Sequence, residues 1–215
     1  MRFRNREHAA ELLIERLRPA YQNKHPLVLG VPRGAVPMAK LIADALGGEF
    51  DVVLVHKLSY PQQPELAIGA IDELGNVFVS EWADDLDPAY LEAEKKRQLE
   101  VLRRRRTRYT PLRAPIDPAG RIVVVVDDGI ATGSTMTAAL RALRAKKPKK
   151  VVVAVAVASP EAARAMLHEC DAMVCLNIAT ELYAVGQFFD DFDQVTDEDV
   201  VAILQQEKSK ILAVG

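Results

Sequence analysis

The chain predicts an α/β fold, a three-layer sandwich whose central, mostly parallel sheet is covered by helices on both faces. Apolar runs rich in Val and Ile recur at 26–31, 51–55, 122–126, 151–157 and 172–176, and the densest show no polar alternation. Strands buried on both faces of a parallel sheet have this pattern. Between these runs lie stretches with apolar residues at helical spacing, and strands alternating with helices require right-handed crossovers. Charged and small residues gather just beyond the ends of the runs, where ligands bind in such sheets.

The elements follow in order. Residues 7–17 predict a helix with Ala10, Leu13, Ile14 and Leu17 on one face and Asn5 as its cap. The strand at 26–31 runs into Pro32-Arg33-Gly34-Ala35, and a helix continues to Leu46 with Met38, Leu41, Ile42 and Ala45 inward and Gly47 as its stop. The strand at 51–55 leads to His56 and Lys57. Residues 59–73 open with prolines, then alternate Leu66, Ile68 and Ile71 with small or polar residues; with 77–79 they predict a hairpin across Leu74-Gly75-Asn76. Residues 87–109 form one long polar helix opened by Asp87 and Pro88. Its thin apolar stripe (Tyr90, Leu91, Leu99, Leu102) suits the surface or a contact with a second subunit in a homodimer. The strands at 123–126 and 151–157 each precede a helix, the second capped by Ser159-Pro160. After the strand at 172–176, Thr196 to Asp199 resembles a capping box for a closing helix with Val200, Ile203 and Leu204 inward.

At 215 residues, 49% hydrophobic, the chain can bury one substantial core, and a single domain spanning 1–215 is the expectation. A net charge of -2 argues against whole-surface attraction to nucleic acid or anionic membrane. No apolar run approaches membrane-spanning length, and MRFRNREH lacks the apolar core of a signal peptide. Cys170 and Cys175 show neither a disulfide framework nor a metal-site spacing, which fits reduced core thiols of a cytoplasmic protein. The basic run 103–106, with Arg108, has two readings: a nucleic-acid contact, or a solvated helix end that favours the dipole. The second is preferred, since no aromatic platforms accompany the run. Motifs for nucleoside triphosphatases, dinucleotide binding, zinc proteases and serine hydrolases are absent.

The most informative stretch is RIVVVVDDGIATGSTM, residues 121–136. An apolar strand meets two acids, Asp127 and Asp128, then a turn of small and hydroxyl residues, then a helix. Thr132, Ser134 and Thr135 can cap that helix, and Gly133 admits a ligand close to the backbone. The amides and dipole at the helix start suit a phosphate. Two adjacent carboxylates suit a ligand that brings hydroxyl donors or a cation such as Mg²⁺, so the string points to a sugar phosphate. The plainer reading, a buried strand with an acidic cap, explains the acids alone but not the hydroxyl-rich turn.

VVVVDDGIATGST resembles the phosphoribosyl pyrophosphate (PRPP) signature of type I phosphoribosyltransferases: an apolar strand, two acids, two apolar residues, a small residue, then Thr-Gly-x-Thr. Ala131 is similar to the small residue of the adenine and orotate branches, where the hypoxanthine-guanine branch carries an Asp. The turn PRGAVP, the stretch PELAIGAIDE, the Arg-rich helix and the tail AVGQFFDDFDQVTDEDV resemble predicted phosphoribosyltransferases without a settled substrate.

The resemblance implies a core at 26–176, an insertion of hairpin and long helix at 58–115, and a C-terminal hood at 177–215. It implies Mg-dependent transfer of the 5-phosphoribosyl group from PRPP to a small nitrogenous base, with release of pyrophosphate. PRPP would be held by Asp127, Asp128, Gly129, Ile130, Ala131, Thr132, Gly133, Ser134 and Thr135. Arg33, Gly34 and Lys57 would hold the pyrophosphate; taken alone, the two basic residues read equally as solvated strand ends. Glu65 would be a carboxylate on a mobile lid, or else a solvated turn acid. Mg²⁺ would be held mainly through PRPP, with no direct protein ligand. Tyr183, Phe188, Phe189 and Phe192 among acids would stack a base or anchor the tail. Two other classes stay open: a non-catalytic PRPP- or nucleotide-sensing regulator of the same fold, and a phosphorylase- or phosphotransferase-type protein using the same anion cradle.

Overall fold

In a computed structural model, the described residues are 1–61, 63–79, 86–111 and 115–213. Five strands form the parallel sheet: β1 (Leu27–Gly30), β2 (Glu49–Val52), β6 (Ile122–Ile130), β7 (Lys150–Ala158) and β8 (Ala172–Ile178), in the order β2-β1-β6-β7-β8. The chain steps outward from β1 to β2 and later returns to the other side of β1. The order therefore switches between β1 and β6, and the crevice beyond their carboxyl ends is the expected ligand site.

The alternation of strands sorts side chains into two cores. Val28, Val124, Val126, Val152 and Ala154 face α1 (Arg6–Tyr21) and α2 (Val36–Leu46). Val123, Val125, Val151, Val153 and Val155 face α4 (Ser134–Ala145) and α5 (Pro160–Glu169). The expected three layers are thus present.

β3 (Val55–Tyr60), β4 (Gln63–Asp72) and β5 (Val77–Val79) form a separate antiparallel sheet, and α3 (Pro88–Tyr109) packs on β3 and β4. α6 (Asp197–Ala213) closes against α2 and α3. Caps appear where the sequence places them. Asn5 accepts from His8 N at 2.9 Å, Asp87 from Ala89 N at 2.9 Å, and Ser159 from Ala162 N at 3.0 Å. Thr196 and Asp199 exchange the two bonds of a capping box, and Gly47 ends α2 in the left-handed region.

Three expectations need correction. The apolar run 51–55 is not one strand: β1 stops at Gly30, which pairs with Val52, and beyond that point β2 has no neighbour to extend against. The chain leaves the sheet there and restarts as β3, so Lys57 lies within an antiparallel strand rather than at the tip of a parallel one. The first helix runs past Leu17 to Tyr21, carrying Pro19 in its last turn. In α2 the buried face is Val36, Met38, Ala39, Ile42, Ala43 and Leu46, which leaves Leu41 exposed.

Candidate active site

β6 extends past both acids to Ile130, so the carboxylates are carried on a paired, rigid strand. Asp128 continues the row of Val124 and Val126 and faces the α1 side; Asp127 continues the opposite row. Asp127 Oδ1 accepts the Asp128 amide at 2.8 Å. Burial, then the adjacent charge of Asp128, pushes the Asp127 carboxyl well above the ordinary carboxylate range. Asp128 receives Arg6 Nε at 2.9 Å, and both side chains are largely buried. Arg6 also donates to the Asp193 carbonyl at 2.6 Å, and its guanidinium lies 3.7 Å from the centre of the Phe192 ring.

Residues 131–133 form a short turn before α4. The hydroxyls of Thr132, Ser134 and Thr135, expected to cap this helix, do not. Gly133 is its N-cap at φ 83, a conformation that admits glycine readily, and no side chain caps the helix. The hydroxyls of Thr132 and Ser134 lie 3.3 Å apart. The first-turn amides of α4 are therefore spared a side-chain partner, as an anion cradle requires. Ser159 Oγ donates to the Ala131 carbonyl at 2.8 Å and so braces the turn against the start of α5. Gly129 lies beneath Val185 of the 3₁₀ turn Val185–Phe188.

The turn after β1 divides the rim into two clefts. Arg33 and Gly34 line one, of about 420 Å³, together with Asp128, Arg6, Phe192 and Val185. Close approach favours glycine at 34: a Cβ there would crowd Asp128 Oδ2, which Arg6 holds in place. Arg33 Nη1 stands 3.9 Å from Asp197 Oδ1, and the Pro32–Arg33 peptide is cis. The other cleft, of about 410 Å³, is lined by Pro32, Lys57, Thr135, His56, Gln98 and Arg105 among others. Arg33 and Lys57, grouped on one diphosphate by the sequence, thus face different sides of the turn. Glu65 belongs to β4 by its backbone, but its side chain lies outside the described residues.

The aromatic tail divides its work. Phe189 is buried and packs on Phe3 with ring centres 5.3 Å apart, and Phe3 N donates to the Phe188 carbonyl at 2.8 Å. Phe192, half-buried, faces the first cleft, while Tyr183 is exposed. Arg6 and Gln98 were not singled out from the sequence, and Arg105 stood out only as part of the basic run 103–106, preferred there as a solvated helix end. Arg6 lies 122 residues from its partner Asp128, and Gln98 and Arg105 reach the rim only because α3 folds back over β3.

Comparison with known proteins places this geometry. Over 210 residues the chain is 41% identical to proteins from two Mycobacterium tuberculosis strains whose names assign them provisionally to the phosphoribosyl transferases. The match takes in 95% of this chain but 46% of theirs, so the chain spans about half the length of those relatives. The crystal structure of TT1426 from Thermus thermophilus superposes with a TM-score of 0.89 at 47% identity, covering 96% of this chain and 99% of that one. The family model "Phosphoribosyl transferase domain" matches residues 4–189. The chain, with its acid pair and uncapped helix start at the sheet's switch point, belongs to the phosphoribosyl transferase family.

Proposed function

We propose that the chain is a type I phosphoribosyltransferase that moves the 5-phosphoribosyl group of PRPP, with Mg²⁺, onto a small nitrogenous base and releases pyrophosphate. The observation that supports this most is the pairing of Asp127 and Asp128 on β6 with the uncapped start of α4 a few residues on. In this reading residues 131–135 hold the 5-phosphate through amides and hydroxyls. Asp127 and Asp128 accept the ribose hydroxyls, and their charge favours the oxocarbenium-like state in which C1 leaves the diphosphate before nitrogen attacks. Arg6 supplies counter-charge to Asp128, and Phe192, whose ring backs that guanidinium, borders the space for the base. The 32–34 turn and Lys57 border the space for the diphosphate. A lid carrying Glu65 would exclude water while the ring is activated.

The donor set fits a metal that travels with its substrate. In this reading the rim's hard oxygen donors, Asp127 and Asp128, are engaged with the ribose, so Mg²⁺ would take most of its oxygens from the diphosphate. When bound, it would offset the negative charge of the leaving group. Cys170 and Cys175 are unpaired, which accords with a cytoplasmic setting.

The alternative, a non-catalytic regulator of the same fold, would draw on a basic run in which three of the arginines are already engaged. Arg104 pairs with Glu100, Arg106 with Asp51 and Glu73, and Arg108 with Asp197 and Glu198, so these charges do not form an open patch. Incubation with PRPP, Mg²⁺ and a panel of bases should release pyrophosphate. Asp128→Asn should lower kcat by about 10²–10³, the scale expected for loss of one group aimed at transition-state charge. No release with any base, together with no rise in melting temperature on adding PRPP, would overturn the proposal.

A further inference from the structure

The arginines of residues 103–108 are not equivalent. Three have carboxylate partners and Arg103 is exposed. Arg105 is half-buried, lines the cleft that holds Lys57 and Thr135, and has no carboxylate partner among the described residues. Its Nη1 lies 3.1 Å from Nε2 of His56.

The hydrogen bonds behind His56 fix how that contact works. Glu94 is buried, and its carboxylate is gripped by Arg97. It can only accept, so Gln98 turns its amide nitrogen to it, Nε2 donating to Oε1 at 2.8 Å. The Gln98 carbonyl oxygen then faces His56 Nδ1 at 2.6 Å and must receive a proton from it. His56 is therefore protonated at Nδ1 and bare at Nε2, where it accepts from Arg105. Burial, opposed by the Gln98 bond and assisted by Arg105, holds His56 below its ordinary pKa, which agrees with a neutral ring. The charged groups around the ring are Glu94, Arg97 and Arg105.

A half-buried arginine answered by a neutral ring, with no carboxylate on it among the described residues, keeps its positive charge available to the cleft that it lines. We propose that Arg105, brought by the inserted helix α3, is an anion-binding residue of the second cleft that takes the diphosphate end of the substrate, with Glu94, Gln98 and His56 as its positioning residues. This rests on the phosphoribosyltransferase reading. It adds a cation from outside the sheet's own turns to the cleft that Lys57 and Thr135 also line.

Calorimetric binding to the full chain tests it, with magnesium pyrophosphate and ribose 5-phosphate as separate probes. Arg105→Ala should weaken pyrophosphate at least tenfold and leave ribose 5-phosphate within twofold. Arg105→Lys should restore part of the loss, and Arg104→Ala should change neither. His56→Ala should weaken pyrophosphate several-fold, and adding it to Arg105→Ala should cost nothing more, because the ring acts through the guanidinium. Should Arg105→Ala fail to fold, Arg105→Gln against Arg105→Lys makes the same comparison. Unchanged pyrophosphate affinity, or equal loss for both probes, overturns the assignment. Additive losses overturn the positioning role of His56. A wild-type chain that binds neither probe overturns the phosphoribosyltransferase reading itself, whereas one that binds ribose 5-phosphate but not pyrophosphate overturns only this inference.

Discussion

The parallel sheet is held by apolar burial, whereas the insertion that leans on it adds buried ion pairs to the same kind of core. Val123 to Val126 of β6 and Val151 to Ala158 of β7 are apolar, buried and paired, so their position is fixed by area removed from water. The hairpin and α3 share the sheet's core through Leu58, Ile68, Ile71, Leu102 and Tyr109, and add buried charge to it. Arg106 threads between Asp51 and Glu73, while Arg108 and the Tyr109 hydroxyl meet Asp197 at the start of α6. The first arrangement carries the acids, which must not move. The second carries cations that are partly structural and partly aimed at the cleft.

Breaking the insertion should have the largest effect. Arg106→Met removes the guanidinium that the buried carboxylates of Asp51 and Glu73 share and should cost about 3–5 kcal/mol in chemical denaturation. A cost under about 1 kcal/mol would mean that the insertion does not depend on that charge. In the sheet, Val153→Ala removes part of a fully buried side chain and should cost about 2 kcal/mol.

The rim should respond with the opposite sign. The folded protein holds the Asp127 proton more tightly than the unfolded chain does. That contribution is fully present below the unfolded value of about 3.8 and is lost as pH rises through the raised folded value. Asp127→Asn keeps an oxygen for the Asp128 amide and removes the charge. It should therefore raise the melting temperature at neutral pH and flatten its decline with pH while turnover falls. A lower melting temperature would show that the acid pair stabilises the unliganded fold.

Much of the architecture was legible because it rests on local pattern. Unbroken Val runs declared a doubly covered sheet, and Asn5, Asp87, Ser159 and the Thr196–Asp199 pair declared helix starts, since a cap is a bond between near neighbours. The run 51–55 misled because its apolar pattern does not show where the neighbouring strand ends. The hydroxyls before α4 misled because three candidate caps in sequence do not reveal that Gly133 takes the position itself.

The sequence alone determined the sheet, the acid pair on β6 and the small-residue turn after it, because strand burial and turn chemistry are written within a few residues. Only the tertiary structure decided that Arg6 meets Asp128, that Arg33 and Lys57 face different clefts, and that Arg105 rather than its neighbours lines the cleft of Lys57. Those outcomes depend on contacts between residues tens to more than a hundred positions apart, and neither spacing nor composition carries that information.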